Sequence, residues 1–232
     1  MITWRVASVA EFIDETPRTR TLVLDVDGWP GHRAGQHVDV RLTAEDGYQA
    51  ERSYSIASGP NNGKLELTVE LIEDGEVSPY LVEELRHGDT FELRGPIGGW
   101  FAWDPSQGGP LLLVGGGSGV VPLRAMLRAR TADIPARLIY SARTLEDVIY
   151  RNELEGLGDD LVLTLTREQR GGFHSGRVDA DLLREAGFSP AQDPRIFVCG
   201  PTPFVESVAS ALVALGHPAE RVKTERFGPT GR

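Results

Sequence analysis

The sequence holds a single cysteine, Cys199, in 232 residues, which excludes an intramolecular disulfide and any cysteine-rich zinc or iron–sulfur site. It has no run of about 18 apolar residues, so no membrane-spanning helix is expected. Basic clusters are missing too. With 24 Lys and Arg against 34 Asp and Glu the formal charge is −10, which argues against nucleic acid as a partner. The opening stretch MITWRVASVAEFIDE carries Glu11, Asp14 and Glu15 where a secretory signal needs a clean apolar segment. The histidines, His32, His37, His87, His174 and His217, form no ligand-spaced pair, and no metal site is expected. Together these absences predict a cytoplasmic chain with no membrane partner, and a monomer is expected. What is present is ordinary globular material, 40% hydrophobic and 25% charged, long enough for one large domain or two small ones.

The charge is unevenly placed. Residues 1–108 carry 9 basic and 19 acidic side chains, whereas residues 109–232 carry 15 of each. The apolar pattern changes at the same place. The first part alternates with period two over Thr21 to Val26, Gln36 to Leu42, Arg52 to Ala57, Leu65 to Ile72 and Thr90 to Arg94, with turn residues at 28–31, 45–47 and 59–63. In Gln36 to Leu42 the residues Val38, Val40 and Leu42 share one face, and His37, Asp39 and Arg41 share the other, solvent-facing one. Only Pro79 to Arg86 reads as helix. A small antiparallel β-barrel is predicted.

The second part alternates strands with helices. Strands are expected over Leu111 to Val114, Arg137 to Ser141, Leu161 to Thr166, Arg195 to Cys199 and Val222 to Arg226. Helices are expected from the glycines to Arg130, over Leu145 to Leu154, Asp179 to Ala186 and Pro203 to Leu215. This is the pattern of a parallel sheet covered by helices on both faces. The predicted domains are therefore 1–103, a β-barrel, and 110–232, an α/β domain, with a breaker-rich seam between them.

Four stretches carry chemistry. Gly115, Gly116, Gly117 and Gly119 follow a buried strand and open a helix, where bare backbone and free N–H groups can cradle a pyrophosphate. Pro122 replaces the third glycine of the usual dinucleotide fingerprint and suits the first helical turn. The next strand ends in Ser141-Ala142-Arg143 in place of the acid that holds a ribose diol, which leans to NADP(H), with Arg167 as a second cation. NAD(H) stays possible, because Arg143 can equally stack on adenine or face solvent. Cys199-Gly200-Pro201 ends a further strand on the side where parallel sheets bind ligands. No histidine is placed to activate the thiol, so Cys199 suits packing beside a flat ring better than nucleophilic attack.

In the first part, alternation along Arg52-Ser53-Tyr54-Ser55 puts Arg52 and Tyr54 on one side and Ser55 on the other. A cation beside an aromatic ring suits an anionic, ring-bearing ligand, although an exposed strand face would look the same. Downstream of Gly75 and Val77, Ser78 is expected to cap a helix whose first position is Pro79, a second anion-competent helix start. Two such sites in two differently folded parts predict two phosphorylated cofactors.

Taken in order, Arg52-x-Tyr54-Ser55, Gly75-x-Val77-Ser78, Gly95-Pro96-Ile97-Gly98, the glycine loop with Pro122, Tyr140-Ser141-x-Arg143 and Cys199-Gly200-Pro201 resemble the ferredoxin–NADP reductase superfamily across essentially the whole chain. The closing Glu225-Arg226-Phe227-Gly228 is similar to its bacterial oxygenase-reductase branch. The resemblance implies an FAD-binding barrel, with FMN the less favoured flavin, followed by a nicotinamide-nucleotide domain. Arg52 would pair with the flavin pyrophosphate, Tyr54 would line the ring, and Ser55 would hydrogen-bond near flavin N5. Gly75, Val77 and Ser78 would hold phosphate, Cys199 would border the nicotinamide, and Glu225 and Phe227 would close the flavin face. Five residues, 228–232, follow Phe227 where the family often ends in an aromatic. The implied catalytic set is Ser55, Cys199 and Glu225.

A plant-type [2Fe–2S] domain needs four cysteines, so this chain would pass electrons to a separate acceptor protein or to a small acceptor. The acidic first part favours an acceptor that is not strongly acidic. Two other readings are an NAD(P)H:flavin reductase that releases reduced flavin and a non-catalytic flavin-binding electron-transfer subunit.

Overall fold

A computed structural model describes residues 3–60 and 63–228. The chain divides into two compact units, residues 1–103 with 124–129, and residues 104–123 with 130–232. In the first unit, strands β1 (Trp4–Thr16), β2 (Thr19–Val26), β3 (His37–Thr43), β4 (Gln49–Ser55), β5 (Leu65–Glu70) and β6 (Thr90–Ile97) form a sheet in the order β4-β3-β6-β1-β2-β5. Every pairing in it is antiparallel. The two edge strands meet through a bridge between Ile56 and Leu67 and a bond from the Ala57 N–H to the Glu66 carbonyl, 2.8 Å, which closes the expected barrel. Its core includes Val38, Val40, Leu67, Leu81 and Leu93, all fully buried.

The sequence reading passed over β1, the longest strand. Its alternation is interrupted by register shifts between Val9 and Glu11 and between Asp14 and Thr16, and Val6 stays exposed while Ala7 and Val9 are buried. The expected helix over Pro79 to Arg86 is a single wide turn, Tyr80–Glu84, with Pro79 at its N-cap and no side-chain capping bond. Ser78 is not the cap. Its hydroxyl accepts from the Ile72 N–H at 3.1 Å and donates to the Ile72 carbonyl at 3.4 Å, so it pins the preceding turn instead. Asn61 and Asn62, in the expected turn over 59–63, lie outside the described residues, as do residues 229–232 of the tail.

In the second unit, β7 (Leu111–Gly116), β8 (Ala136–Ala142), β9 (Leu161–Leu165), β10 (His174–Ser175), β11 (Arg195–Pro201) and β12 (Val222–Phe227) make a parallel sheet in the order β10-β9-β8-β7-β11-β12. Helix α1 (Val120–Ala129) starts in this unit while its residues 124–129 count with the first, and helices α2 (Arg151–Leu154), α3 (Ala180–Ala186) and α4 (Thr202–Ala214) punctuate the sheet. All six residues of β7 are buried, as a central parallel strand requires. The helix expected over Leu145 to Leu154 is broken: a short turn at Leu145–Asp147 ends at extended Val148, and Tyr150 takes a left-handed backbone (φ 60°) before α2. A capping box between Thr144 and Asp147 closes the first turn locally, so helical spacing in the sequence does not become one helix.

Strand order reverses between β7 and β11. The chain runs outward from β7 through β8 to β10, then returns to lay β11 on the other side of β7. The carboxyl ends of these two strands form the topological switch point, where open parallel sheets bind ligands.

Candidate functional site

At the switch point, β7 and β11 run side by side with Gly115 opposite Cys199. The chain leaves β7 through Gly117, whose φ of +56° only glycine adopts readily, and enters α1. A Cβ on Gly119 would lie 2.1 Å from the Cys199 carbonyl oxygen. Glycine at 119 is thus what lets the start of α1 press against the end of β11. Nothing lies within 4 Å of a Cβ placed on Gly117, so the loop has open space in front of it. An open, bare backbone at a helix start fits a pyrophosphate.

Cβ atoms on Gly116 and Gly200 would lie 2.9 and 2.7 Å from the ring of Phe204 in the first turn of α4. Phe204 is a residue the sequence reading missed. Its signal was present: glycines ending two neighbouring strands, with an aromatic four residues after the second.

Cys199 is also opposite Glu225 on β12, so the thiol and carboxyl are cross-strand neighbours. Burial pushes the Cys199 thiol well up, and the Glu225 charge adds to the rise. That keeps the sulfur a neutral packing surface and supports the expectation that it is no nucleophile. Burial also raises the Glu225 carboxyl from its ordinary 4.5 to about 7. Its buried Oε2 has no hydrogen-bond partner among the described residues. Pro201 is exposed at the end of β11, opposite half-buried Phe227 at the end of β12.

Ser141 is buried near the end of β8, opposite Gly116. Just beyond, the Arg167 N–H donates to the Arg143 carbonyl at 2.8 Å, which makes the two residues neighbours at the ends of β8 and β9. Both side chains are exposed, and neither guanidinium has a protein partner among the described residues. The nearby acids are occupied: Asp147 accepts from Thr144, and Glu168 accepts from the Leu145 N–H at 2.8 Å.

In the first unit, β4 pairs with β3 so that Arg52 faces Val40, Tyr54 faces Val38 and Ser55 faces His37. Arg52 and Tyr54 therefore share a side that Ser55 does not, as alternation predicts. Tyr54 packs on the barrel core and burial raises its hydroxyl, whereas Ser55 is half-buried and Arg52 exposed. His37 is half-buried, not solvent-facing, and burial lowers its ring. Gly75 closes a turn by donating its N–H to the Ile72 carbonyl at 2.8 Å, and a Cβ there would crowd the Ile72 oxygen at 2.9 Å. Val77 is fully buried and anchors that turn.

The donor set fits a phosphorylated flavin. A guanidinium at 52 is joined by the Glu76 and Val77 N–H groups, which meet no acceptor among the described residues. The sequence reading missed what Arg52 already holds. Its Nη2 donates to Glu76 Oε2 at 2.5 Å and its Nη1 donates to the Glu51 carbonyl at 2.7 Å. Tyr48 donates to the other Glu76 oxygen at 2.5 Å.

A family model for the oxidoreductase FAD-binding domain matches residues 9–101, and one for the oxidoreductase NAD-binding domain matches residues 113–210. The chain is 40% identical over 209 residues to ferredoxin–NADP reductase B of Sorangium cellulosum, covering 84% of each. It is 30% identical over 231 residues to the ferredoxin reductase component of 3-ketosteroid-9-alpha-monooxygenase from Rhodococcus rhodochrous, of which it spans 64%. Its fold matches the FAD/NAD-binding domain of the nitric oxide dioxygenase from Vibrio cholerae with a TM-score of 0.85 at 24% identity, covering 97% of this chain and 99% of that one.

Proposed function

Because the chain belongs to the ferredoxin–NADP reductase-like family of FAD-dependent NAD(P)H oxidoreductases, we propose that it moves hydride from NADPH to FAD and hands the electrons to a separate redox protein. One observation carries the reading. Cys199 and Glu225 are cross-strand neighbours at the switch point beside the glycine loop, and both groups resist ionisation there.

FAD, when bound, couples a two-electron hydride donor to one-electron acceptors. The residues of this chain supply position and polarity. Arg52 and the N–H groups of 76–77 hold flavin phosphate, Tyr54 packs along the ring, and Ser55 donates near its N5. The glycine loop and the start of α1 hold the nicotinamide pyrophosphate. Cys199 offers a neutral, polarizable wall for the nicotinamide, and Glu225 keeps a proton available at neutral pH. The test is anaerobic rapid mixing of the flavin-loaded protein with NADPH. Cys199→Ala is expected to slow flavin reduction about tenfold through looser positioning while flavin content stays unchanged. An unchanged rate would remove Cys199 from the site.

Preference for NADPH rests on Arg143 and Arg167, exposed residues joined by a backbone hydrogen bond at the ends of β8 and β9 with no side-chain partner among the described residues, and on Ser141 in place of an acid. The acceptor is proposed to be a protein that is not strongly acidic, since the whole excess of negative charge lies in residues 1–108. Among the described residues no helix is long and apolar enough to cross a membrane. One observation favours the second reading, a reductase that releases its flavin: the cation meant for the flavin phosphate is already ion-paired to Glu76.

A further inference from the structure

Arg52 is committed at both terminal nitrogens, to Glu76 and to the Glu51 carbonyl. Glu76 is committed in turn, with Arg52 on one oxygen and the Tyr48 hydroxyl on the other. The Tyr48 bond and then the Arg52 bond hold the Glu76 carboxyl below its ordinary range, so it is ionised at neutral pH. Glu76 also occupies the variable position of the very turn, Gly75-x-Val77-Ser78, that offers the free N–H groups. Glu73 and Asp74 add two more carboxylates within three residues, and among the described residues only Glu73 of these two has an ion-pair partner, Arg18 at 2.7 Å. A turn that bound a diphosphate with nothing opposing it would not carry this charge.

We propose that Glu76 is an internal competitor for the flavin diphosphate. The carboxylate and the phosphate need the same Arg52 nitrogen, so flavin binding must displace Glu76 or share the guanidinium with it. The displaced carboxylate then sits beside another anion, and Tyr48 steadies it in that place. The consequence is a flavin held loosely enough to exchange, at a strength set by residue 76 and not by Arg52 alone. This rests on the flavin reading of the first unit and adds to it a residue that tunes retention.

The pair is surface-accessible, with about half of each side chain exposed, so replacing Glu76 does not threaten the fold. The experiment compares wild type, Glu76→Gln and Tyr48→Phe as flavin-loaded protein, measuring FAD released on dilution from the rise in free-flavin fluorescence. Dissociation constants for FAD and for riboflavin, which lacks phosphate, are measured alongside. E76Q is expected to retain FAD about tenfold more tightly and Y48F about threefold, with riboflavin affinity unchanged in both. Equal FAD affinity in wild type and E76Q would overturn the competition. Weaker FAD binding in E76Q would also overturn it, by showing that Glu76 orients Arg52 for the ligand. A parallel change for riboflavin would place the effect in the fold and not at the phosphate. If wild type and variants all fail to bind either flavin, the flavin reading itself falls, and the competition with it.

Discussion

Glu225 offers the sharpest quantitative test, because its buried carboxyl ties stability to pH in a stated direction. Burial raises it from 4.5 to about 7. In the unfolded chain it returns to its ordinary value, so between these two limits the folded state binds more protons. The sign follows. The favourable situation is complete below the unfolded value and is lost as pH rises through the folded one. With about 1.4 kcal/mol per pKa unit, raising pH from 5 to 8 costs the native state about 2–3 kcal/mol through this one group.

Glutamine has the same shape and no charge, so Glu225→Gln removes that slope and is the more stable form at pH 8. Trp4, Trp29, Trp100 and Trp103 all belong to the first unit, so tryptophan emission does not report directly on the unit that holds Glu225. Far-UV circular dichroism in urea, which sees the helices of the second unit, is the assay. The midpoint gap between wild type and variant should widen by about 1 M urea from pH 5 to pH 8. Parallel pH dependences would show that Glu225 is not held in an apolar setting, and its role as a proton store would fall.

Two further outcomes follow from the geometry. In the first unit, Glu66 is buried and accepts from Arg124 at 2.7 Å and from Arg128 at 3.0 Å, with the Arg124 side chain only 5% exposed. Removing the charge with Glu66→Gln should cost about 3–5 kcal/mol, read from the tryptophan-monitored urea transition; a change below 1 kcal/mol would mean that solvent reaches the cluster. Replacing Arg143 and Arg167 together with alanine should raise KM for NADPH about tenfold or more and leave KM for NADH unchanged in steady-state assays, whereas equal effects on both would remove the 2′-phosphate assignment.

The fold was largely legible because two hydrophobic periods coexist in one chain, and each is imposed by the layer it fills. Val38 and Val40 alternate with His37 and Asp39 in a half-buried antiparallel strand, while Leu111 to Val114 run unbroken in a strand buried on both sides. Bulges hid β1 by shifting its register midway, and a local capping box split the stretch after Thr144. In the second unit the glycine loop of the candidate site was legible, since Gly119 lets two backbones touch. Side-chain competition was not. Pairing of Arg52 with Glu76 depends on a turn 24 residues away folding beside β4, and no local pattern reports it. Ser78 shows the same limit: its type suits a helix cap, and only the tertiary turn reveals that its hydroxyl is bonded to Ile72.

The measurement closest to the central claim is a titration of the purified protein, without oxygen, against NADPH and separately against NADH, following the flavin absorption band. The account predicts that stoichiometric NADPH bleaches the band and that NADH does so more slowly. A flavin-loaded protein whose band neither nucleotide bleaches would contradict it.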